Sequence, residues 1–187
     1  MLNFYFMGFW VCVVVGIPLF FLWSLFYYGM FLNVVLDLFG HEWFVHIYRT
    51  FSLVFCAVFL GGVTFHFMLL YQFWKLIPKD IARTTPGKAV GLMFVPLFNF
   101  YWMFVTFKGL CEDMNKTLRQ RGIQYQVNEG LGFVFCILII VYLISTIKPI
   151  ISFLLLLVMF FVLILYLKSV KNGAFALLEQ TDDEPQV

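Results

Sequence analysis

The first charged side chain of this chain is Asp37; from Met1 to Leu36 there is no Asp, Glu, Lys or Arg. Long uncharged runs recur at Phe51–Trp74, at Ala89–Phe107, and at Leu131–Leu167 apart from Lys148. A hydrocarbon core about 30 Å thick is crossed by about 20 apolar residues in a helix. Only helices and closed barrels satisfy their own backbone groups in lipid. Unbroken apolar runs of this length predict helices, so the expected fold class is all-α, a polytopic helical membrane bundle. Composition agrees: 63% of the 187 residues are hydrophobic and 12% are charged, against about 25% charged in a soluble domain. The net charge of +2 comes with no long basic run, which argues against nucleic acid as a partner.

The charged residues act as punctuation. Met1–Leu36 reads as one tilted span with a kink at Gly16 and Pro18. It has no preceding Lys or Arg and exceeds the roughly 7–15 apolar residues of a signal peptide, so a retained first span is expected. A polar connection, Asp37 to Arg49, leads to a second span ending at Trp74 and Lys75, an aromatic–basic pair suited to the interface. Lys75–Lys88 contains Pro78, Pro86 and Gly87 and reads as a loop. Ala89–Phe107 is apolar but interrupted by Pro96 and Asn99. Lys108–Gly122 has Leu110, Met114 and Leu118 at four-residue spacing and a stop signal in Gly122, a polar helix expected to leave the membrane and end at the surface. One helix over Leu131–Leu167 would be about 55 Å long, too long for the bilayer, so a reversal is expected at Ser145–Pro149. Residues 1–178 then form a single integral membrane domain and 179–187 an acidic tail.

Charge asymmetry discriminates between topologies, because loops rich in Lys and Arg stay cytoplasmic. If residues 89–107 cross the membrane, the 12 basic residues divide 5 against 7. If that segment enters and returns on one side, turning near Pro96–Asn99, they divide 10 against 2, with only Arg49 and Lys148 outside. The expectation is therefore four full spans plus a fifth apolar segment that is re-entrant or kinked, with both termini cytoplasmic.

The stretch Ile81-Ala-Arg-Thr-Thr-Pro-Gly-Lys-Ala-Val-Gly-Leu-Met-Phe-Val-Pro-Leu-Phe-Asn-Phe-Tyr-Trp102 resembles a family of uncharacterised bacterial multi-pass membrane proteins. Their hallmark is a segment like ARTTPGKAVG followed by a PxFNxYW-like element. Outside residues 81–102 the likeness lies in hydropathy alone. The resemblance implies a bacterial source and the cytoplasmic (inner) membrane. It implies no activity.

Few residues here offer chemistry. His66 falls near the middle of the second span, where an ionisable group usually faces the bundle interior. Gly61 and Gly62 beside it would let another helix approach. With Pro96, Asn99 and Trp102, His66 is a candidate polar intramembrane site. Asp37, His41, Glu42 and His46 cluster in the first connection; His41, Glu42 and His46 are conceivable metal ligands, although His41-Glu-Trp-Phe-Val-His46 has one residue too many for HExxH. An anchored interfacial loop explains them as well. Lys108, Lys116, Arg119 and Arg121 are candidates for lipid headgroup contact. Cys12, Cys56, Cys111 and Cys136 form no CxxC and read as small hydrophobes. No cofactor is expected. The leading functional expectation is a structural or accessory subunit working through contacts with other membrane chains or with further copies of itself in the lipid bilayer. The alternatives are a small oligomeric channel or transporter using Pro96, Asn99 and His66, and an intramembrane metal-dependent enzyme.

Overall fold

The computed structural model describes residues 2–36, 41–144 and 149–183. They are all-helical among themselves: α1 (Leu2–Leu36), α2 (His41–Lys75), α3 (Pro86–Gly91), α4 (Phe98–Met103), α5 (Gly109–Gln120), α6 (Glu129–Ile144) and α7 (Pro149–Asp183). Three stretches are long and apolar enough to cross a membrane: Leu2–Phe20, Val45–Lys75 and Leu154–Glu179; α6 is a shorter apolar helix. The chain divides into two compact units, Met1–Leu69 and Leu70–Val187.

The first unit is a helical hairpin. α1 runs unbroken through Pro18. Its contacts with α2 move in opposite directions along the two helices: Gly8 lies under the Phe65 ring, Cys12 against Gly61 and Gly62, Gly16 against Val58, and Phe20 beside Phe55. Spacings of four on both sides define an antiparallel seam on one face of each helix. Small residues opposite large ones let the helices approach where hydrophobic burial cannot drive association. The close approach inferred at Gly61 and Gly62 is thus met by α1 of the same chain. The expected loop at Asp37–Arg49 is shorter than that, because α2 already begins at His41; the polar residues of 41–49 sit in helical turns, and Asp37 lies outside the described residues.

The second unit is built around α5. A polar surface helix was expected there. Instead Leu110, Cys111, Asp113, Met114, Asn115, Thr117 and Leu118 are all buried. The reason is that α7 continues well past its apolar stretch. Tyr166, Leu167, Val170, Ala174 and Leu177 form a buried stripe on α7, and Gly173 admits Val127 and Met114 to its backbone. α6 and α7 form an antiparallel pair: Asn128, just before α6, bonds Ser169, while Phe135 stacks on Tyr166 at 6.2 Å. That direction matches the expected reversal, whose residues 145–148 lie outside the described set. At the end of α5 the Gly122 expectation holds. Gly122 has φ +70°, its N–H donates to Arg119 O, and Ile123 N–H donates to Leu118 O. This is the left-handed helix stop for which glycine is suited.

Residues 86–108 do not form one helix. α3 ends at Gly91, a single 3-10 turn covers Leu92–Phe94, and a sharp turn at Pro96–Phe98 leads into α4 and then a π-turn at Phe104–Lys108. The chain folds back on itself. Trp102 Nε1 donates to Lys88 O and Ala89 O at 3.1 Å each, and Thr106 Oγ1 donates to Ala89 O at 3.1 Å. In a straight helix Ala89 and Thr106 would be about 25 Å apart.

Candidate functional site

The fold-back is held by three sets of polar contacts. The first joins the loop before α3 to α5. Asp113 Oδ2 accepts from Arg83 N and Arg83 Nε at 3.0 Å, and Oδ1 accepts from Arg83 Nη2 at 2.8 Å and Lys116 Nζ at 3.1 Å. Arg83 Nη2 also donates to Glu112 Oε2 at 2.6 Å, and Lys108 pairs with Glu112 Oε1 at 3.1 Å. The Asp113 side chain is 0% exposed. Burial alone would raise its pKa; the Arg83 side chain, the Arg83 backbone N–H and Lys116 outweigh that and hold the carboxyl below the ordinary range. In turn Asp113, and after it Glu112, raise the Arg83 guanidinium further, against its partial desolvation. Gly109 leaves the space in which the Arg83 side chain lies, with Cδ 3.0 Å from where a Cβ would be. Burial pushes the neighbouring Cys111 thiol up to about 12, which makes it a packed apolar group and a poor nucleophile.

The second set seats the hairpin's outgoing arm. Tyr166 O–H donates to Phe107 O at 3.3 Å and Cys136 S–H to Met103 O at 3.5 Å. These carbonyls flank and form the π-turn, and α6 and α7 supply the partners. Gly132 allows this approach, because a Cβ there would stand 3.0 Å from Phe107 O. The third set fixes residues 123–128 over α5. Asn115 Nδ2 donates to Val127 O at 2.9 Å and to Glu129 Oε1 at 2.8 Å, and Val127 N–H donates to Asn115 Oδ1 at 2.7 Å.

At the hairpin tip Leu97 has φ +64° and ψ −45°, and Phe98 N–H donates to Pro96 O at 2.7 Å. That is a γ-turn of the rare, strained hand. Leu97 is 83% exposed, and Phe94, Val95, Phe98, Phe100 and Tyr101 around it are exposed as well. Asn99 follows the turn, and its N–H bonds Val95 O at 3.0 Å. Its side-chain Oδ1 is buried with no hydrogen-bond donor against it. Trp102, stacked on Phe98 at 5.3 Å, locks the two arms through its N–H.

Beneath this hairpin lies a half-open groove of about 750 Å³. Its polar rim is Lys75, Lys79, Arg83, Thr84, Thr85 and Lys88; its apolar walls include Trp74, Ile77, Leu92 and Trp102. Thr85 also caps α3, its Oγ1 accepting from Lys88 N. Nothing in the sequence pattern alone pointed to this groove, because it needs the fold-back to bring Trp102 beside Lys88.

The other candidate residues are placed as follows. His66 belongs to the first unit and packs beside the rings of Phe9 at 5.8 Å and Phe67 at 6.0 Å. Pro96, Asn99 and Trp102 belong to the second. His46 is on an exposed face of α2, and the side chains of His41 and Glu42 lie outside the described residues. Among the described residues no three His, Cys, Asp or Glu come together as metal ligands. Of the basic residues on α5 and its flanks, Lys108 and Lys116 are engaged in ion pairs, Arg121 donates to Leu177 O at 3.2 Å, and Arg119 is exposed. Sequence reasoning missed Arg83, Asp113 and Asn115. The signal available for them was weak: an acid and an amide between the apolar positions of a helix whose remaining residues are too apolar for a solvated face.

No protein family, characterised protein or solved structure matches the chain.

Proposed function

We propose that this protein is a non-enzymatic accessory subunit of a membrane assembly, with four helical spans and a hairpin at 86–108 that re-enters from the cytoplasmic side. Both termini are then cytoplasmic, in a bacterial inner membrane. The observation that carries the reading is the hairpin tip. Its irregular backbone at Val95–Phe98 is surrounded by exposed apolar side chains, and it is held rigidly from behind by the Arg83–Asp113 pair and the Trp102 clasp. Irregular backbone at membrane depth is tolerated where protein covers it and not where lipid does. A tip of this kind therefore calls for another polypeptide, a partner chain or a second copy, against Leu97 and Phe100. The 10-to-2 division of basic residues supports the same placement.

A photocrosslinking residue at position 97, introduced in the full chain and activated in native membranes, tests this. The reading expects discrete protein adducts that are absent when the probe is at Leu53, on the exposed face of α2. Adducts with lipid alone at position 97 would overturn it.

A further inference from the structure

We propose that the groove under the hairpin is a binding site for the phosphate headgroup of an anionic phospholipid. The proposal does not rest on the accessory-subunit reading, because it concerns a different face of the module.

Charge comes first. The groove's lining contains four basic side chains, Lys75, Lys79, Arg83 and Lys88, and no acidic one. Arg83 is already committed to Asp113 and Glu112. Lys75, Lys79 and Lys88 form no ion pair among the described residues. Three uncompensated ammonium groups around one concavity repel each other unless an anion occupies it. Asp80, next to Lys79 in sequence, is not part of the lining.

Shape and polarity come second. The cations share the groove with Trp74, Ile77, Leu92 and Trp102, so the site is amphipathic and not merely basic. The Trp102 N–H is used by two carbonyls, which leaves its ring as apolar wall. Thr84 and Thr85 add hydroxyls at the polar end. A soluble phosphate would have no use for the apolar half; a glycerophospholipid fills both halves.

Position comes third. The groove begins at Trp74 and Lys75, where the apolar stretch Val45–Lys75 ends. Trp74 itself is fully buried in protein and so is not the interfacial anchor its sequence position suggested; the exposed Lys75 at the end of the apolar stretch marks headgroup depth. Basic residues at that depth attract anionic lipid, each contributing comparably.

The test uses the full-length protein, delipidated in neutral detergent, with native mass spectrometry to count bound lipid. Phosphatidylglycerol and phosphatidylcholine are the two lipid probes, and glycerol 1-phosphate is the headgroup alone. The expected result is tight binding of one phosphatidylglycerol over phosphatidylcholine, weakened about 100-fold in the K75Q/K79Q/K88Q triple variant. A control variant, R49Q/K168Q/K171Q, removes the same charge elsewhere and should bind as the parent does. Equal loss in both variants would mean diffuse attraction and would overturn the site. So would the absence of a preference for phosphatidylglycerol. If glycerol 1-phosphate binds as tightly as the lipid, the ligand is a soluble phosphate and the lipid assignment falls. Lys75, Lys79, Lys88, Arg49 and Lys168 are exposed, and Lys171 is half-buried with its ammonium 5.4 Å from the Phe175 ring centre; matching melting curves check that both variants fold.

Discussion

Two glycines show how differently the two units are held together. At Gly61, in the α1–α2 hairpin, an added methyl would meet only Cys12 Sγ at 3.5 Å, an ordinary contact with a movable group. At Gly132, in α6, it would stand 3.0 Å from Phe107 O and 3.1 Å from Lys108 Cα, both backbone. The first unit is a seam of side chains that can adjust. Among its described residues Thr50 and Thr64 bond back to their own helix, and aromatic and small residues pack the seam. The second unit depends on irregular backbone: a π-turn and an extended segment, each tied by a buried polar group, and an exposed γ-turn closed by its own Phe98 N–H to Pro96 O bond. Regular helices satisfy their own backbone and need only a fitting surface. Irregular backbone must be satisfied from outside, and here Asp113, Asn115, Tyr166 and Trp102 do so.

The comparison breaks most sharply at Asp113. Asp113→Ala leaves Arg83 N, Arg83 Nε and Lys116 without their acceptor and the guanidinium with Glu112 alone, and removing one partner of a buried pair costs about 3 kcal/mol or more. Unfolding in a mixed-micelle titration should reveal that loss, together with faster proteolysis in the loop 76–85. A cost below about 1 kcal/mol would mean the ion pair is surface decoration. The pH dependence sharpens this. The folded Asp113 pKa lies below its ordinary value of 3.8. Its contribution is therefore complete above that pH and is lost as pH falls through the lower, folded value. Acidification below about 3.8 should destabilise the parent chain, and much less so Asp113→Ala, in stability curves measured side by side.

Next in size is Gly132→Ala, which must push the π-turn away from α6 and should cost about 2 kcal/mol. Gly61→Ala is its counterpart in the other unit and should change stability by less than about 0.5 kcal/mol. If the two variants melt alike, the distinction between the units is wrong. Smaller than the Gly132 effect, and of opposite sign, is Leu97→Gly. The left-handed φ of Leu97 stores about 1 kcal/mol that glycine would release. The variant should raise the melting temperature of the isolated protein; an unchanged or lower value would remove strain from the description of the tip.

The sequence made the regular parts readable and the irregular parts only partly so. Uncharged runs located α1, α2 and α7, because length and hydropathy suffice for a spanning helix. Pro96 marked the break in 89–107, and Gly122 marked the stop, because each residue type has few alternative uses. The early start of α2 was hidden because His41, Glu42 and His46 look like loop residues although they occupy helical turns. α5 was the deepest misreading. Asp113, Asn115 and Thr117 look like solvent-facing residues, and their partners stand 30 positions upstream, 12 downstream and one turn back. No local pattern carries a long-range pairing of this kind. In the stretch Ile81–Trp102, Arg83 pins, Thr85 caps, and Ala89 and Trp102 clasp. Those roles tie the motif to the fold-back itself.

The central claim is that residues 86–108 return to the side from which they entered. Single cysteines at position 85, before the hairpin, and position 124, after it, in a background with the four native cysteines replaced, test it directly. Both sites are exposed; position 115 would not serve, since Asn115 is buried. A membrane-impermeant maleimide applied to sealed inside-out and right-side-out vesicles should label both positions from the cytoplasmic face only. Labelling of 85 and 124 from opposite faces would mean that the segment crosses the bilayer, and would contradict this account.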